Sequence, residues 1–104
     1  MQKPYKQLNQ PETIQLLNQY HVSKCYLFGS ALTENFNEES DIDLLVTFDG
    51  VELLDFADNY FDLQEKLELL FKRKVDLVIE KDLKNPILIQ QIQKNRQLLY
   101  DREY

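Results

Sequence analysis

Three aspartates stand where strand-forming residues are expected. Asp41 and Asp43 flank Ile42 at the start of the run 41–48, DIDLLVTF, and Asp76 interrupts a second run, 74–79, KVDLVI. An acid suits β structure poorly and is costly once desolvated, so each needs compensation. Residues two apart in a strand leave the same face, and neither Asp41 nor Asp43 is next to a Lys or Arg that could neutralise it. Cations could do so instead. If the strand carrying Asp76 lies beside the strand carrying Asp41 and Asp43, three carboxylates converge on one face. That is the ligand set with which two divalent ions, roughly 3.5–4 Å apart, stabilise the entering and leaving oxygens of a phosphoryl or nucleotidyl transfer. An Asp-x-Asp standing alone at a strand start more often caps or solvates a turn.

The elements that must position these acids follow from periodicity. Residues 11–20, PETIQLLNQY, place Pro11 at a helix start and Ile14, Leu16 and Leu17 near one face, and this helix ends before His21. KCYLF (24–28) reads as a buried strand that Gly29 breaks, and 30–40 as a connector with weak helical character at its start and a turn at Asn35-Phe36-Asn37. In 41–48, Ile42, Leu44, Val46 and Phe48 alternate with Asp41, Asp43, Leu45 and Thr47. Asp49-Gly50 is a turn or helix-entry signal, and Leu53, Phe56, Ala57, Tyr60, Leu63, Leu67 and Leu70 make 51–71 a long amphipathic helix. A third strand at 74–79 precedes Asn85-Pro86, which opens a last helix reaching about Tyr100. The order α-β-(turn)-β-α-β-α predicts an α/β or α+β domain, a small mixed β-sheet flanked by helices. The link of roughly 25 residues between the second and third strands allows a parallel crossover, and the shorter first link allows neighbouring or antiparallel placement.

The acids belong to a larger pattern. Phe28-Gly29-Ser30 is followed by ten residues, then Asp41-Ile42-Asp43, and a strand-borne Asp76 comes after one helix. This arrangement resembles the nucleotidyltransferase superfamily of the DNA polymerase β type. The single-domain length is most similar to its minimal nucleotidyltransferase (MNT) branch, as is the tail NPILIQQIQKNRQLLYD. The resemblance, carried by residues 24–80, implies the nucleotidyltransferase fold as one domain over 1–104. It implies that Gly29 lets the backbone approach a triphosphate and that Ser30 hydrogen-bonds the same phosphates. Asp41 and Asp43 would bind two Mg²⁺ ions, and Asp76 would complete the second metal site and act on the attacking hydroxyl, as general base or through the metal. The implied reaction moves a nucleoside monophosphate, AMP from ATP, to a hydroxyl. In the MNT branch the implied acceptor is a tyrosine of an all-helical HEPN toxin, with the small enzyme as antitoxin. One feature departs from the family pattern: Ala31-Leu32-Thr33-Glu34 follows Gly29-Ser30 where many members carry a basic run, and no base occurs between Lys24 and Lys66. The metals, or Lys72, Arg73 and Lys74, are the remaining sources of positive charge, although KRK also reads as a solvated helix end favourable to the dipole.

Composition narrows the alternatives. The 104 residues are 43% hydrophobic, with two Gly and three Pro, enough for one modest core and too ordered for a linker or a low-complexity chain. The net charge of −6 is unevenly spread: residues 34–68 hold twelve acids against Lys66, a local −11. Such a segment repels phosphate backbones and argues against duplex nucleic acid as a partner. No apolar run approaches the roughly 18 residues of a membrane span, and a lone cysteine, Cys25, permits no internal disulfide, so a reducing cytoplasm is expected. Cys25 reads as core and His21 as surface, while Phe56, Tyr60, Phe61 and Phe71 read as core with any excess serving a partner surface. Two other functions fit the residues less well. One is a binding module that neutralises a helical partner by occlusion, against which the three retained carboxylates argue. The other is transfer to a small molecule, for which a lone domain offers little acceptor pocket unless a homodimer supplies one.

Overall fold

The computed structural model of the chain describes residues 10–29 and 40–102. Helix α1 (Pro11–Gln19) begins with proline in its first turn, where the missing N–H has no helical partner to lose. Strands β1 (Val22–Phe28) and β2 (Ile42–Phe48) pair antiparallel. A 3₁₀ turn (Leu53–Asp55) leads into helix α2 (Phe56–Phe71), which crosses to β3 (Val75–Ile79), parallel to β2. Helix α3 (Pro86–Asn95) starts at Asn85, whose side chain accepts from the N–H groups of Ile87 at 3.0 Å and Leu88 at 3.4 Å. The mixed sheet and its flanking helices are those the sequence predicts. The connector at 30–39 lies outside the described residues, and Ser30 with it.

The tail corrects the expectation of a helix reaching Tyr100. Helix α3 stops at Asn95, Arg96 is extended (φ −86°, ψ 151°), and Gln97–Asp101 forms a fourth strand, β4. It pairs antiparallel with β1, giving the sheet order β3-β2-β1-β4. The physical reason is the far edge of β1: with β2 on one side only, its other row of N–H and C=O groups needs partners. The tail supplies them and also buries Leu99.

The two faces of the sheet are covered unequally. Leu17 of α1 and Leu63 and Leu67 of α2 bury one face against Cys25, Leu27, Ile42, Leu44, Val46, Val75 and Leu77, all at most 3% exposed. Each fully buried Leu or Val contributes about 1.5–3 kcal/mol, so this face holds most of the core. On the opposite face Leu45 and Ile92 of α3 are buried. That face also carries Asp43, because Asp43 and Leu45 are two apart in β2. Helix α2 begins later than periodicity suggests: Leu53 and Leu54 precede it and are exposed, and Ala57 is exposed too. Phe56 packs edge-on against Phe48 at 5.4 Å between centroids and Tyr60 joins the core margin, but Phe61 is 63% exposed, correcting its expected place in the core. His21 is exposed, as predicted. Among the described residues no helix is long and apolar enough to cross a membrane.

Cys25 occupies the middle of β1 with no exposure, and burial pushes its thiol up to about 12. The thiolate is the reactive form, so alkylation in the native state should be negligible even at mildly alkaline pH and should become rapid in denaturant. Iodoacetamide labelling followed by mass spectrometry checks this, and rapid native labelling would place Cys25 at the surface.

Candidate active site

Sheet register brings together two of the three acids that the sequence singled out. In the parallel pair Asp43 lies opposite Asp76, and in the antiparallel pair Phe28 lies opposite Asp43. Directly opposed residues project from one face, so Phe28, Asp43 and Asp76 form a single row across β1, β2 and β3. Gly29 follows Phe28 with φ +78°, a left-handed conformation that glycine adopts freely. A Cβ added there would stand 2.3 Å from Asp43 Oδ2, so the missing side chain is what lets the end of β1 lie against this carboxylate.

Asp41 precedes β2 and is exposed. Its backbone is tied on both sides to the start of β3: the Ile42 N–H donates to the Lys74 carbonyl at 2.9 Å, and Arg73 Nη1 donates to the Ser40 carbonyl at 3.2 Å. Arg73 thus fixes the approach to Asp41, a part not apparent in the KRK run. Among the described residues no three His, Cys, Asp or Glu are already grouped so as to hold a metal ion. The closest association is the Asp43–Asp76 pair in register, with Asp41 at the strand entrance.

Asp76 is positioned from the helix side. Strand β3 is at the sheet edge, and three α2 side chains at four-residue spacing satisfy its backbone: Tyr60 Oη donates to the Leu77 carbonyl, Gln64 Nε2 donates to the Val75 carbonyl at 2.9 Å, and Glu68 accepts from the Val75 N–H at 3.0 Å. One helix stripe therefore holds the residues on either side of Asp76. The spacing Tyr60-x₃-Gln64-x₃-Glu68 was visible in the sequence, but only the identity of the edge strand gives it meaning.

Electrostatics mark Asp43 out. Desolvation first, then the charges of Asp76 and Asp41, push its carboxyl above the usual carboxylate range. Burial, and secondarily Asp76, likewise raise the Tyr60 hydroxyl. A clustered set of oxygen anions with unmet charge suits a hard divalent cation such as Mg²⁺. A carboxyl whose pKa folding raises is a destabilising charge once ionised, and that penalty sets in as pH rises through the raised pKa. Asp43→Asn should therefore raise Tm by a few degrees near neutral pH, and the gain should vanish as pH falls below about 3.9, the unperturbed Asp value, where both side chains are neutral. Thermal melts of the metal-free protein across pH check this, and an Asn variant less stable than wild type near neutrality would contradict it.

Residues 12–104 match the model of the polymerase beta nucleotidyltransferase family, and the chain belongs to that family. It is 38% identical over 80 residues to MJ1379 of Methanocaldococcus jannaschii, covering 77% of this chain and 79% of that protein. It is 36% identical over 74 residues to the protein adenylyltransferase MntA of Thermococcus cleftensis, covering 70% and 71%. It is also similar to a chain in the structure of tri-AMPylated Shewanella oneidensis HEPN toxin in complex with MNT antitoxin, with a TM-score of 0.63, 28% identity and coverage of 94% of this chain and 74% of that one.

Proposed function

We propose that this nucleotidyltransferase moves AMP from ATP to a tyrosine hydroxyl of a HEPN-type helical partner and thereby acts as its antitoxin. The observation that carries the reading is the row Asp43–Asp76 in register with Gly29 set against Asp43. It sets two strand-borne carboxylates and a glycine in left-handed conformation side by side at the end of the sheet. Similarity to a protein adenylyltransferase and to an MNT antitoxin supports the choice of nucleotide and partner.

In the transfer, the acceptor oxygen bonds to the α-phosphorus, the bond from that phosphorus to the oxygen bridging to the β-phosphate breaks, and pyrophosphate leaves. The hydroxyl proton passes to a carboxylate or to water. Asp41 and Asp43 would hold two Mg²⁺ ions with Asp76 completing the second site, and the bound ions would supply charge neutralisation at the phosphates and acidify the acceptor hydroxyl. Gly29 and Ser30 would bind the phosphates. Asp76, whose neighbours Val75 and Leu77 the α2 stripe holds, would act on the acceptor hydroxyl. The setting proposed is the cytoplasm, where Cys25 remains reduced.

The test is co-incubation of the purified protein with its helical partner, Mg²⁺ and ATP labelled on either the α- or the γ-phosphate. Label should reach a partner tyrosine from the α-position only. Transfer of γ-label, or none from either, would overturn the reading.

A further inference from the structure

The carboxylate row poses a problem for a polyanionic substrate, since metal-bound or not, the protein segment that carries it is strongly acidic. Residues 34–68 hold twelve acids against Lys66. A triphosphate seated there needs protein cations, and the run from Cys25 to Glu65 contains none. The KRK cluster does not meet this need at Arg73, which is engaged at the Ser40 carbonyl.

Arg96 does. It lies in the extended link between α3 and β4, and its guanidinium stands over the Tyr26 ring, 4.2 Å from the centroid. Tyr26 and Phe28 are two apart on β1, and their partners on β2 are Leu45 and Asp43. The Tyr26–Leu45 row is thus the next row along the same face from Phe28–Asp43–Asp76, about 7 Å away at the rise of a β-strand. A cleft of about 750 Å³ begins at Phe28 and Gly29, beside the acid-bearing row, and reaches Arg96: α3 lines it with Leu88, Gln91, Ile92 and Asn95, and Gln97 completes it. Stacking on an aromatic ring leaves the edge of a guanidinium, with its fork of N–H donors, available to an anion. Among the described residues this guanidinium makes no hydrogen bond or ion pair that would compete.

We infer that Arg96, stacked on Tyr26, is a phosphate-positioning residue that grips the β- and γ-phosphates of the nucleoside triphosphate in the cleft running from Gly29. The inference rests on the functional reading above and deepens it. With the α-phosphate at Gly29 and the carboxylate row, the rest of the triphosphate extends along the cleft, and the departing pyrophosphate would be held by Arg96. A cation supplied from the chain's tail would offset the acidic middle segment.

The test measures KM for ATP and inhibition by pyrophosphate and by adenosine for wild type, Arg96→Gln and Arg96→Lys, with melting curves alongside. Loss of a charged hydrogen-bonded contact should raise both the KM for ATP and the inhibition constant of pyrophosphate about tenfold in Arg96→Gln. Adenosine inhibition should be unchanged, and Arg96→Lys, which keeps the charge but loses the fork, should fall between. Equal weakening of adenosine and pyrophosphate would assign Arg96 a structural role and overturn the inference. So would a KM for ATP equal to that of wild type. Failure of the wild type itself to bind ATP would overturn the functional reading, and the inference with it.

Discussion

Replacing Asp41 and Asp43 together by alanine should reduce AMP transfer by roughly a thousandfold or more while leaving the protein folded, because a metal-neutralised transition state draws several kcal/mol from its ligands and each 1.36 kcal/mol is tenfold in rate. Structure sets the expected division between the two sites. Asp43 sits in the row with Asp76 and bears a raised pKa, whereas Asp41 stands exposed at the strand entrance. Asp43→Ala alone should therefore lose nearly as much as the double variant, and Asp41→Ala somewhat less. Because ionised carboxylates repel one another in the metal-free fold, the double variant should melt no lower than wild type. Mg²⁺ should raise the Tm of wild type and leave that of the double variant unchanged. Transfer rates with α-labelled ATP and melting curves with and without Mg²⁺ check both halves. A double variant that transfers label at the wild-type rate would remove these aspartates from the chemistry.

Gly29→Ala should be the most damaging single methyl in the molecule. An L-residue at φ +78° costs roughly 1–2 kcal/mol, and the new Cβ would stand 2.3 Å from Asp43 Oδ2. The carboxylate is the movable partner, so relief comes from swinging Asp43 out of the row. Activity should then fall about a hundredfold, more than stability explains, since small misplacements of a reacting constellation are costly. Tm should drop by at least the roughly 4–16 °C that 1–2 kcal/mol of backbone strain produces in a domain of this size. A double-mutant cycle isolates the cause: introduced into Asp43→Ala, the same Gly29→Ala change should cost less stability, because the clash is gone and only the backbone strain remains. Equal costs in both backgrounds would show that Gly29 and Asp43 do not press on one another. By contrast Gly50→Ala meets no atom within 4 Å, so its cost should be confined to φ +80°.

The two outcomes depend on features that differed in how readable they were. DIDLLVTF announced a strand by alternation, and KVDLVI did so again, because burial on one side selects every second residue. Asn85-Pro86 and Pro11 announced helix starts because proline is tolerated where the N–H is orphaned. β4 was not readable: from Ile92 to Leu99 the apolar spacing remains compatible with a helix, no Gly or Pro separates them, and Arg96 turns extended only because the open edge of β1 needs a partner. The pairing of Asp43 with Asp76 was conditional in the sequence on which strands are neighbours. The closeness of Gly29 to Asp43 was not readable at all, since it follows from the antiparallel register that sets Phe28 opposite Asp43. Arg73 and Arg96 carried no local signature, as their partners lie far away in the chain.

The stripe of Tyr60, Gln64 and Glu68 has a consequence beyond holding Asp76. An edge strand normally offers a template on which another chain can add a strand, and this is a common route to self-association. Here the N–H and carbonyl of Val75 and the carbonyl of Leu77 are already occupied by helix side chains. The sheet border beside Asp43 and Asp76 is thus partly covered, so extension of the sheet by a neighbouring polypeptide is disfavoured there and the approach to Asp76 stays clear of stray strands.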